Sequence, residues 1–197
     1  KQGLLNALVV TPQNGHFSIV CGERRWRAIK NHHLMKEVPC LVGEGLTPAK
    51  KLEMNLVENL QREDLTPIDE ANAYKALLGK CGYTQATLAK RLGVSGAMVS
   101  YKLSLLDLSP GLQKEVAKGR LSETDGRAIA QTVKRIGGPE AAKQRVEAQG
   151  EIEKELKEAP ANPKNGKVDS PTVKRVAEAT VTKMAGAKAL PQARAPK

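Results

Sequence analysis

The stretch of the sequence with the clearest chemical potential is a run of arginines behind a glycine, Gly22-Glu-Arg-Arg-Trp-Arg27. Glycine permits a tight backbone bend, and the N–H groups after it would form a helix N-terminus, which attracts anions. Arg24, Arg25 and Arg27 add permanent planar charge that suits phosphate oxygens. These residues predict a site for a phosphorylated ligand. The alternative is a surface loop whose arginines pair with Glu23 or Glu53.

A second group of polar residues lies further along, in Glu58-Asn-Leu-Gln-Arg62. Glu58 and Asn59 carry oxygen atoms of the kind that Mg²⁺ takes beside the phosphates of a nucleotide. Glu58 and Arg62 are four residues apart, so they could instead pair on one face of a helix. The magnesium interpretation gains weight from the arginine-rich loop upstream.

The third group is the stretch from Gln85 to Leu105, whose spacing is typical of a helix-turn-helix. A small residue is needed where the two helices cross, and Ala89 supplies it. Four residues later, Gly93 tolerates the positive φ of the turn. Val94 is expected to be buried after the turn, and Val99 faces the core from the second helix. An ordinary helical hairpin is the alternative.

The exposed face of the second helix would enter the major groove of DNA, with Gln85 contacting phosphate or base from the first helix. This face is made of small residues without an Arg or Asn for a bidentate base contact. Two arginines downstream could add base or backbone contacts. The candidate DNA-binding residues are Gln85, Ser95, Gly96, Ala97, Ser100, Tyr101, Lys102, Arg120 and Arg127.

Composition favours a polyanionic partner. The 197 residues carry a formal net charge of +11, concentrated in residues 84–138, and only 3% are aromatic. Duplex DNA therefore fits better than single strands, which need stacking platforms. Three separated cysteines without zinc spacing indicate a reducing cytoplasm, and no run of 18 apolar residues or signal peptide is visible. We expect no membrane contact.

Residues 1–65 are expected to form a small mixed α/β domain that positions the two polar groups. Leu4 to Val10 ends in β-branched residues, and Asn14-Gly15 predicts a tight hairpin into a strand over His16 to Cys21. A helix over Glu23 to Lys30 follows. Val38 to Val42 predicts an edge strand because of Pro39. Thr47-Pro48 then begins the helix that carries Glu58.

Residues 66–138 are expected to be all helical, with Ser or Thr caps and Gly stops delimiting five helices. Residues 139–197 contain six prolines and no aromatic residue, which indicates a basic, partly ordered tail with helices over Glu151 to Glu158 and Thr172 to Met184. The fold class is therefore α+β: a small mixed domain, a helix-turn-helix domain and a helical tail.

Taken in order, these motifs resemble the ParB family of DNA-partition proteins. The resemblance rests on Gln2-Gly-Leu-Leu-Asn-Ala-Leu-Val-Val10, on Gly22-Glu-Arg-Arg-Trp-Arg-Ala28, on Glu58-Asn-Leu-Gln-Arg62 and on the helix-turn-helix. It covers residues 2–136 and not the tail. Gly-Glu-Arg-Arg-x-Arg-Ala is a highly specific signature.

The resemblance implies a CTP-binding N-terminal domain, a centromere-binding helix-turn-helix and a homodimer that clamps and slides on DNA when CTP binds. Gly22, Glu23, Arg24 and Arg25 would hold the triphosphate, with Arg27 and Arg62 in the same nucleotide site. Glu58 and Asn59 would serve Mg²⁺ and a slow hydrolysis that resets the switch. A ParA-type ATPase would be a further partner, and the protein would associate with a nucleoid or plasmid.

Several positions depart from the family pattern. Asn6-Ala7 replaces the usual Gln-Pro, Gly96 replaces the usual Arg of the recognition helix, and Asp125-Gly-Arg-Ala128 lacks the usual His. The last two changes fall where family members read their site, so we expect a plasmid or mobile-element version with a different target. Because the chain starts at Lys1 within an apolar element, we also expect further residues upstream.

Two other classes of function remain open on the residues alone. One is a transcriptional repressor of the same architecture with a degenerate nucleotide site. The other is an enzyme, either a ParB-like nuclease or a phosphotransferase on the related sulfiredoxin-like fold. Sulfiredoxins place their catalytic Cys after the Gly of this loop, whereas Cys21 precedes Gly22, and no carboxylate cluster suits a nuclease.

Overall fold

The computed structural model describes residues 7–62, 64–137, 141–163 and 165–185. The chain divides into two compact units. Unit 1 draws on residues 1–65 and 76–84, and unit 2 draws on residues 66–75 and 85–197. Lys1 to Asn6, including Leu4 and the Asn6 departure, lie outside the described residues, so the predictions made for them have no structural outcome.

Unit 1 contains a three-stranded sheet in the order β2-β1-β3, formed by β1 (Leu8–Gln13), β2 (His16–Cys21) and β3 (Cys40–Val42). β1 and β2 form the expected hairpin, and Asn14 and Gly15 both have positive φ, at 49° and 79°. β1 and β3 are parallel, with Val10 opposite Val42. Pro12 is tolerated in the middle strand because it lies beyond the end of β3, where its missing N–H has no partner to lose.

Two helices complete the part of unit 1 that carries the polar groups. They are α1 (Glu23–His32) and α2 (Pro48–Leu60). Thr47 caps α2 as expected, accepting a hydrogen bond from the N–H of Lys50. α2 buries one carboxylate, Glu53, which accepts hydrogen bonds from Tyr83 Oη at 2.8 Å and Lys50 Nζ at 3.0 Å. Glu53 is thus engaged by other partners than the arginines of the loop.

Unit 2 is helical over its described residues and includes the first part of α3 (Pro67–Lys80). The helix-turn-helix is α4 (Gln85–Leu92) and α5 (Gly96–Ser104), followed by a 3₁₀ turn at Leu105–Asp107. The remaining helices are α6 (Pro110–Ala117), α7 (Glu123–Lys134), α8 (Ala141–Glu158) and α9 (Ser170–Ala185).

The tail differs from the expectation. α8 begins ten residues before the predicted Glu151, and both tail helices contribute apolar side chains to the core that α6 and α7 form. Ile152 and Val173 are fully buried in this core beside Leu112 and Ile129. The described part of residues 139–197 therefore belongs to the same compact unit as the helix-turn-helix, because apolar side chains of α8 and α9 pack into the core of that unit.

Candidate nucleotide and nucleic-acid sites

The loop between β2 and α1 has the backbone that its glycine predicts. Gly22 has φ of +95°, a region that L side chains avoid, and it is the N-cap of α1. A Cβ at this position would lie 2.6 Å from Leu8 Cδ2 and 3.1 Å from Arg25 Nη2. Glycine is therefore required both for the bend and for the close approach of the arginine to the backbone.

Arg25 and Glu58 join this loop to α2. The carboxylate of Glu58 accepts a hydrogen bond from Arg25 Nη2 at 3.0 Å and another from the Gly22 N–H at 3.2 Å. Arg25 also donates to the carbonyl oxygen of Ala7 at 3.2 Å. A backbone N–H and a guanidinium thus already converge on one anionic group, as they would on a phosphate.

A cavity of about 590 Å³ opens beside this contact, within unit 1. All the predicted nucleotide-site residues except Arg27 line it, including both Glu58 and Asn59. Sequence reasoning missed Asn55, which precedes Glu58 and Asn59 by one helical turn; the i, i+3 and i, i+4 spacing on α2 was the available signal. The lining residues are Ile19, Val20, Gly22, Glu23, Arg24, Arg25, Asn55, Glu58, Asn59 and Arg62.

Two of the predicted arginines pair with acids on the surface. Arg27 forms an i, i+4 ion pair with Glu23, and both side chains are exposed. The alternative of a loop arginine paired with Glu23 therefore holds for Arg27, which lies outside the cavity lining. Arg62 makes two hydrogen bonds to Asp64, at 2.9 and 2.7 Å, and these hold the pKa of the Asp64 carboxyl below its usual value.

The surroundings of the Cys21 thiol disfavour its thiolate form. Burial, reinforced by the nearby carboxylate of Glu58, raises the pKa of Cys21 to about 11. Its Sγ donates a hydrogen bond to Asn55 Oδ1 at 3.7 Å. A thiol with this pKa is almost fully protonated at neutral pH, so it is a poor nucleophile and fits a structural role.

The helix-turn-helix has the geometry that the sequence predicts, apart from Val94. Leu88, Ala89 and Val99 are buried between the helices, and Gly93 has φ of +70°. Val94, expected to be buried, is 36% exposed; it lies in the turn between α4 and the Ser95 cap of α5, outside both helices. Five of the candidate DNA-binding residues are exposed on these helices or at the cap of α5: Gln85, Ser95, Gly96, Ala97 and Ser100.

Lys102 does not join that exposed face. Its side chain is 12% exposed, and its Nζ lies 2.7 Å from a carboxylate oxygen of Glu70 on α3 and 2.7 Å from one of Glu123 on α7. Desolvation lowers the pKa of Lys102, but its hydrogen bonds to Glu123 and Glu70 outweigh that effect and raise it above the usual 10.5. In this structure Lys102 therefore joins three helices, and a DNA contact from Lys102 would require it to leave these two carboxylates.

Arg120 is also engaged inside unit 2. Its Nη2 donates to the carbonyl oxygens of Leu156, Lys157 and Ala159, at 3.1, 3.0 and 3.4 Å. Its Nε lies 3.4 Å from Glu115. The last carbonyls of a helix have no partner within the helix, and a cation there also favours the helix dipole. Arg120 thus caps α8, which the sequence could not indicate before α8 was known to pack there.

Arg127 and Tyr101 meet on the surface of unit 2. The guanidinium carbon of Arg127, on α7, lies 5.1 Å from the centroid of the Tyr101 ring on α5. Tyr101 is half-buried and Arg127 is exposed. Sequence reasoning named both residues but did not relate them, because 26 positions separate them along the chain.

Two features are absent from the described part of the chain. Over residues 7–62, 64–137, 141–163 and 165–185, no helix is both long enough and apolar enough to cross a membrane. Within the same ranges, no group of three or more His, Cys, Asp or Glu side chains is arranged to hold a metal ion.

Comparison with solved structures supports the fold. The crystal structure of C-terminally truncated chromosome-partitioning protein ParB from Caulobacter crescentus, complexed to the centromeric parS site, superposes with a TM-score of 0.62 at 29% identity; the match covers 89% of this chain and 83% of that one. The same protein complexed with CTP-gamma-S shares 34% identity over 75% of this chain and 79% of that one. Its TM-score of 0.33 is too low to bear on fold or site.

Comparison with known proteins and family models shows the family. Chromosome-partitioning protein Spo0J of Thermus thermophilus is 43% identical over 66% of this chain and 47% of its own length. Stage 0 sporulation protein J of Bacillus subtilis is 44% identical over 66% of this chain and 45% of its own length. The chain thus spans about half the length of these relatives. The ParB N-terminal domain model matches residues 1–60 and the ParB HTH domain model matches residues 63–158, so the chain belongs to the ParB family.

Proposed function

We propose that this chain binds a centromere-like DNA site through its helix-turn-helix and that CTP in the unit 1 cavity switches it between DNA-bound states. The observation that carries the proposal is the convergence of the Gly22 N–H and Arg25 on a single anionic group at the edge of that cavity. The same chain carries an accessible recognition helix in unit 2. In this proposal unit 1 supplies the nucleotide-dependent switch and unit 2 supplies the DNA-binding helix.

The DNA half of the proposal is supported by charge and exposure. The chain carries a formal net charge of +11, and the face of α5 that follows the Ser95 cap is open. Positive charge supplies the sequence-independent part of DNA affinity through counterion release. The Caulobacter relative with the same fold was solved on a parS site, which supports a centromere-like target here. A plasmid or mobile-element target remains a prediction from Gly96.

The nucleotide half is supported by the cavity. Its volume of about 590 Å³ lies in the range of small-molecule sites, and Arg24, Arg25 and Arg62 line it. Three arginines suit the charge of a triphosphate. Cytosine as the base follows from the family resemblance, and nothing in the lining residues by itself selects it.

Magnesium fits this site as a companion of the nucleotide. Mg²⁺ in nucleotide sites takes one or two protein oxygens and completes its coordination with phosphate oxygens and water. Glu58 supplies a carboxylate and Asn59 an amide oxygen in the same cavity. The ion would neutralise phosphate charge there, and slow hydrolysis of the nucleotide would reset the switch.

The same proposal extends to partners and location. Family resemblance supports a homodimer that forms the clamp, a ParA-type ATPase as the partner in segregation, and a cytoplasmic protein associated with a nucleoid or plasmid. A repressor without a nucleotide switch, and a nuclease, are the competing functions. They are distinguished from the proposal by whether CTP binds and whether it changes the occupancy of DNA.

The decisive experiment measures CTP binding by calorimetry, with Mg²⁺ and with duplexes selected by the protein from a random library. Wild type should bind CTP more tightly than ATP, GTP or UTP. Arg24→Ala and Arg25→Ala should lose binding by at least about tenfold, since each removes a phosphate-facing cation. Arg27→Ala is the matched control, because Arg27 lies outside the cavity lining and should leave binding unchanged.

The outcomes separate the candidates. Absence of CTP binding with intact selective DNA binding would favour the repressor and remove the switch. Cleavage of the selected duplex would favour the nuclease. Equal losses in all three arginine variants would mean diffuse charge attraction rather than a built site. Arg24 is exposed, so its variant tests the site even if Arg25→Ala destabilises unit 1.

A further inference from the structure

We propose that Asn55 contacts the nucleoside part of a nucleotide in the unit 1 cavity and that the Cys21 thiol orients the Asn55 carboxamide for this contact. The inference rests on the proposed nucleotide binding and deepens it, because it adds a residue and a kind of recognition to that site. The ligand group is a neutral hydrogen-bond acceptor, either the 2′-hydroxyl oxygen of the ribose or a carbonyl oxygen of the base.

Asn55 lies on the face of α2 that lines the cavity. It precedes Glu58 by three residues and Asn59 by four, which is the spacing of neighbours on one face of a helix. All three residues line the cavity, and Asn55 is exposed rather than packed into the core. Its side chain is therefore accessible to a molecule that binds in the cavity.

The surroundings of Asn55 suit a nucleoside better than a phosphate. Cys21, the last residue of β2, contacts Asn55, so Asn55 lies beside the end of that strand. The two residues before Cys21, Ile19 and Val20, are the aliphatic residues of the cavity lining. Small-molecule sites combine apolar contacts with a few placed polar groups, and the phosphates have the arginines of the same cavity as partners. Asn55 is thus a neutral polar group beside an apolar wall.

The contact between Cys21 and Asn55 orients the carboxamide. Cys21 Sγ donates a hydrogen bond to Asn55 Oδ1 at 3.7 Å. The thiol is 8% exposed and its pKa is raised to about 11, so it keeps its hydrogen at neutral pH. The carboxylate of Glu58 is also close to the thiol, but its two oxygens already accept hydrogen bonds from Arg25 and from the Gly22 N–H. The amide oxygen of Asn55 therefore faces the sulfur.

This orientation leaves the amide nitrogen of Asn55 for a ligand. A carboxamide carries an acceptor oxygen and a nitrogen with two N–H donors, and the thiol engages the oxygen. Among the residues that the structure describes, the thiol is the hydrogen-bond partner found for the Asn55 side chain. A donor that is oriented before binding loses less side-chain entropy when the ligand arrives. Because the donor is neutral, it favours an acceptor on the nucleoside without adding to the attraction of phosphates.

The test compares CTP with inorganic tripolyphosphate, which has the phosphates but no nucleoside. In calorimetry with Mg²⁺, Asn55→Ala should weaken CTP binding about fivefold, the effect of one hydrogen bond, and should leave the affinity for tripolyphosphate unchanged. Asn31→Ala is the matched control, because Asn31 is an exposed amide on α1 outside the cavity lining, and it should change neither affinity. Measurements with 2′-deoxy-CTP identify the acceptor: the effect of Asn55→Ala disappears if the acceptor is the 2′-hydroxyl and persists if it is a base carbonyl.

Two variants of Cys21 test its role as a positioning residue. Cys21→Ala removes the hydrogen that orients the amide and should weaken CTP binding about threefold, whereas Cys21→Ser keeps a donor and should retain the affinity. Equal effects of the two changes would mean a purely structural Cys21 and would overturn the positioning role.

The outcomes for Asn55 are independent of how Cys21 variants fold, because Asn55 is exposed. Unchanged CTP affinity in Asn55→Ala would overturn the inference while leaving the proposed nucleotide site intact. So would an equal loss of CTP and tripolyphosphate affinity, since that marks a phosphate contact. Failure of the wild type to bind CTP would instead overturn the proposed nucleotide function, and this inference with it.

Discussion

Glu58 Oε1 lies 3.0 Å from Arg25 Nη2, so a carboxylate of the protein occupies the position where the arginine loop would hold a phosphate. The second oxygen of the same carboxylate accepts the N–H of Gly22. A nucleotide bound as proposed would therefore have to displace an internal anion before it could use both donors. Each partner is about one-third exposed, so solvent screens the ion pair and breaking it costs little free energy.

Replacing Glu58, the internal anion, should have opposite effects on the affinity for phosphate ligands with and without magnesium. In EDTA, Glu58→Gln should bind inorganic tripolyphosphate about fivefold more tightly than wild type, because the competing negative charge is removed. With Mg²⁺, the same change should weaken CTP binding, because a carboxylate ligand is lost. Glu37→Gln removes one exposed acid outside the cavity and is the control for net charge. Weaker tripolyphosphate binding in EDTA would contradict this description of the site.

Substitution of Gly22 should destabilise unit 1. Gly22→Ala places a Cβ 2.6 Å from Leu8 Cδ2 at a φ of +95°, so we expect a loss of about 1–3 kcal/mol in the free energy of unfolding. Gly79→Ala is the contrast, since Gly79 lies in α3 with no atom within 4 Å of an added Cβ. That change should stabilise by about 0.5–1 kcal/mol. Urea denaturation followed by circular dichroism measures both, and equal effects would contradict the assignment of strain to Gly22.

Lys102 should contribute to stability rather than to phosphate contact. Lys102→Met leaves two carboxylates facing each other, and we expect a loss of about 2 kcal/mol in the free energy of unfolding. Lys134→Met breaks the exposed pair with Asp107 and should cost less than about 1 kcal/mol.

The pH dependence of that loss follows from the direction of the pKa shift. Because the pKa of Lys102 is raised above 10.5 in the folded state, its contribution is complete below pH 10.5 and disappears as the pH rises through the folded-state value. Chemical denaturation of wild type and Lys102→Met from pH 8 upward should show a constant difference that narrows only above about pH 10.5. A difference that already narrows near neutral pH would assign the effect to another group.

Arg120 gives a test between capping and DNA contact. Arg120→Gln should reduce the free energy of unfolding by about 1–3 kcal/mol, because the carbonyl oxygens at the end of α8 lose their donor. The salt dependence of DNA binding should stay unchanged, whereas loss of one phosphate contact would lower the slope by about 0.9. Lys118→Gln removes an exposed charge nearby and controls for charge alone. A lower slope in Arg120→Gln only would restore Arg120 to the DNA interface.

The sequence by itself determined the features that depend on local rules. Gly22 and Gly93 were predicted to bend the chain, and both have positive φ. The Ser95 cap and the burial of Ala89 also follow from spacing alone, because turn geometry and helix periodicity act over a few residues. For the same reason the hairpin, the helix-turn-helix and the arginine loop could each be predicted, along with the α+β class.

Tertiary structure alone decided which contacts the basic side chains of unit 2 make. Lys102 and Arg127 are both basic residues near the recognition helix, yet the first is held between Glu70 and Glu123 while the second lies over the Tyr101 ring. Arg120 caps a helix that begins some twenty residues later. Partners of this kind are set by which helices pack together, and packing depends on the whole core rather than on neighbouring positions. The sequence thus determined the elements and the chemistry available, and the fold determined which side chains remain available to a ligand.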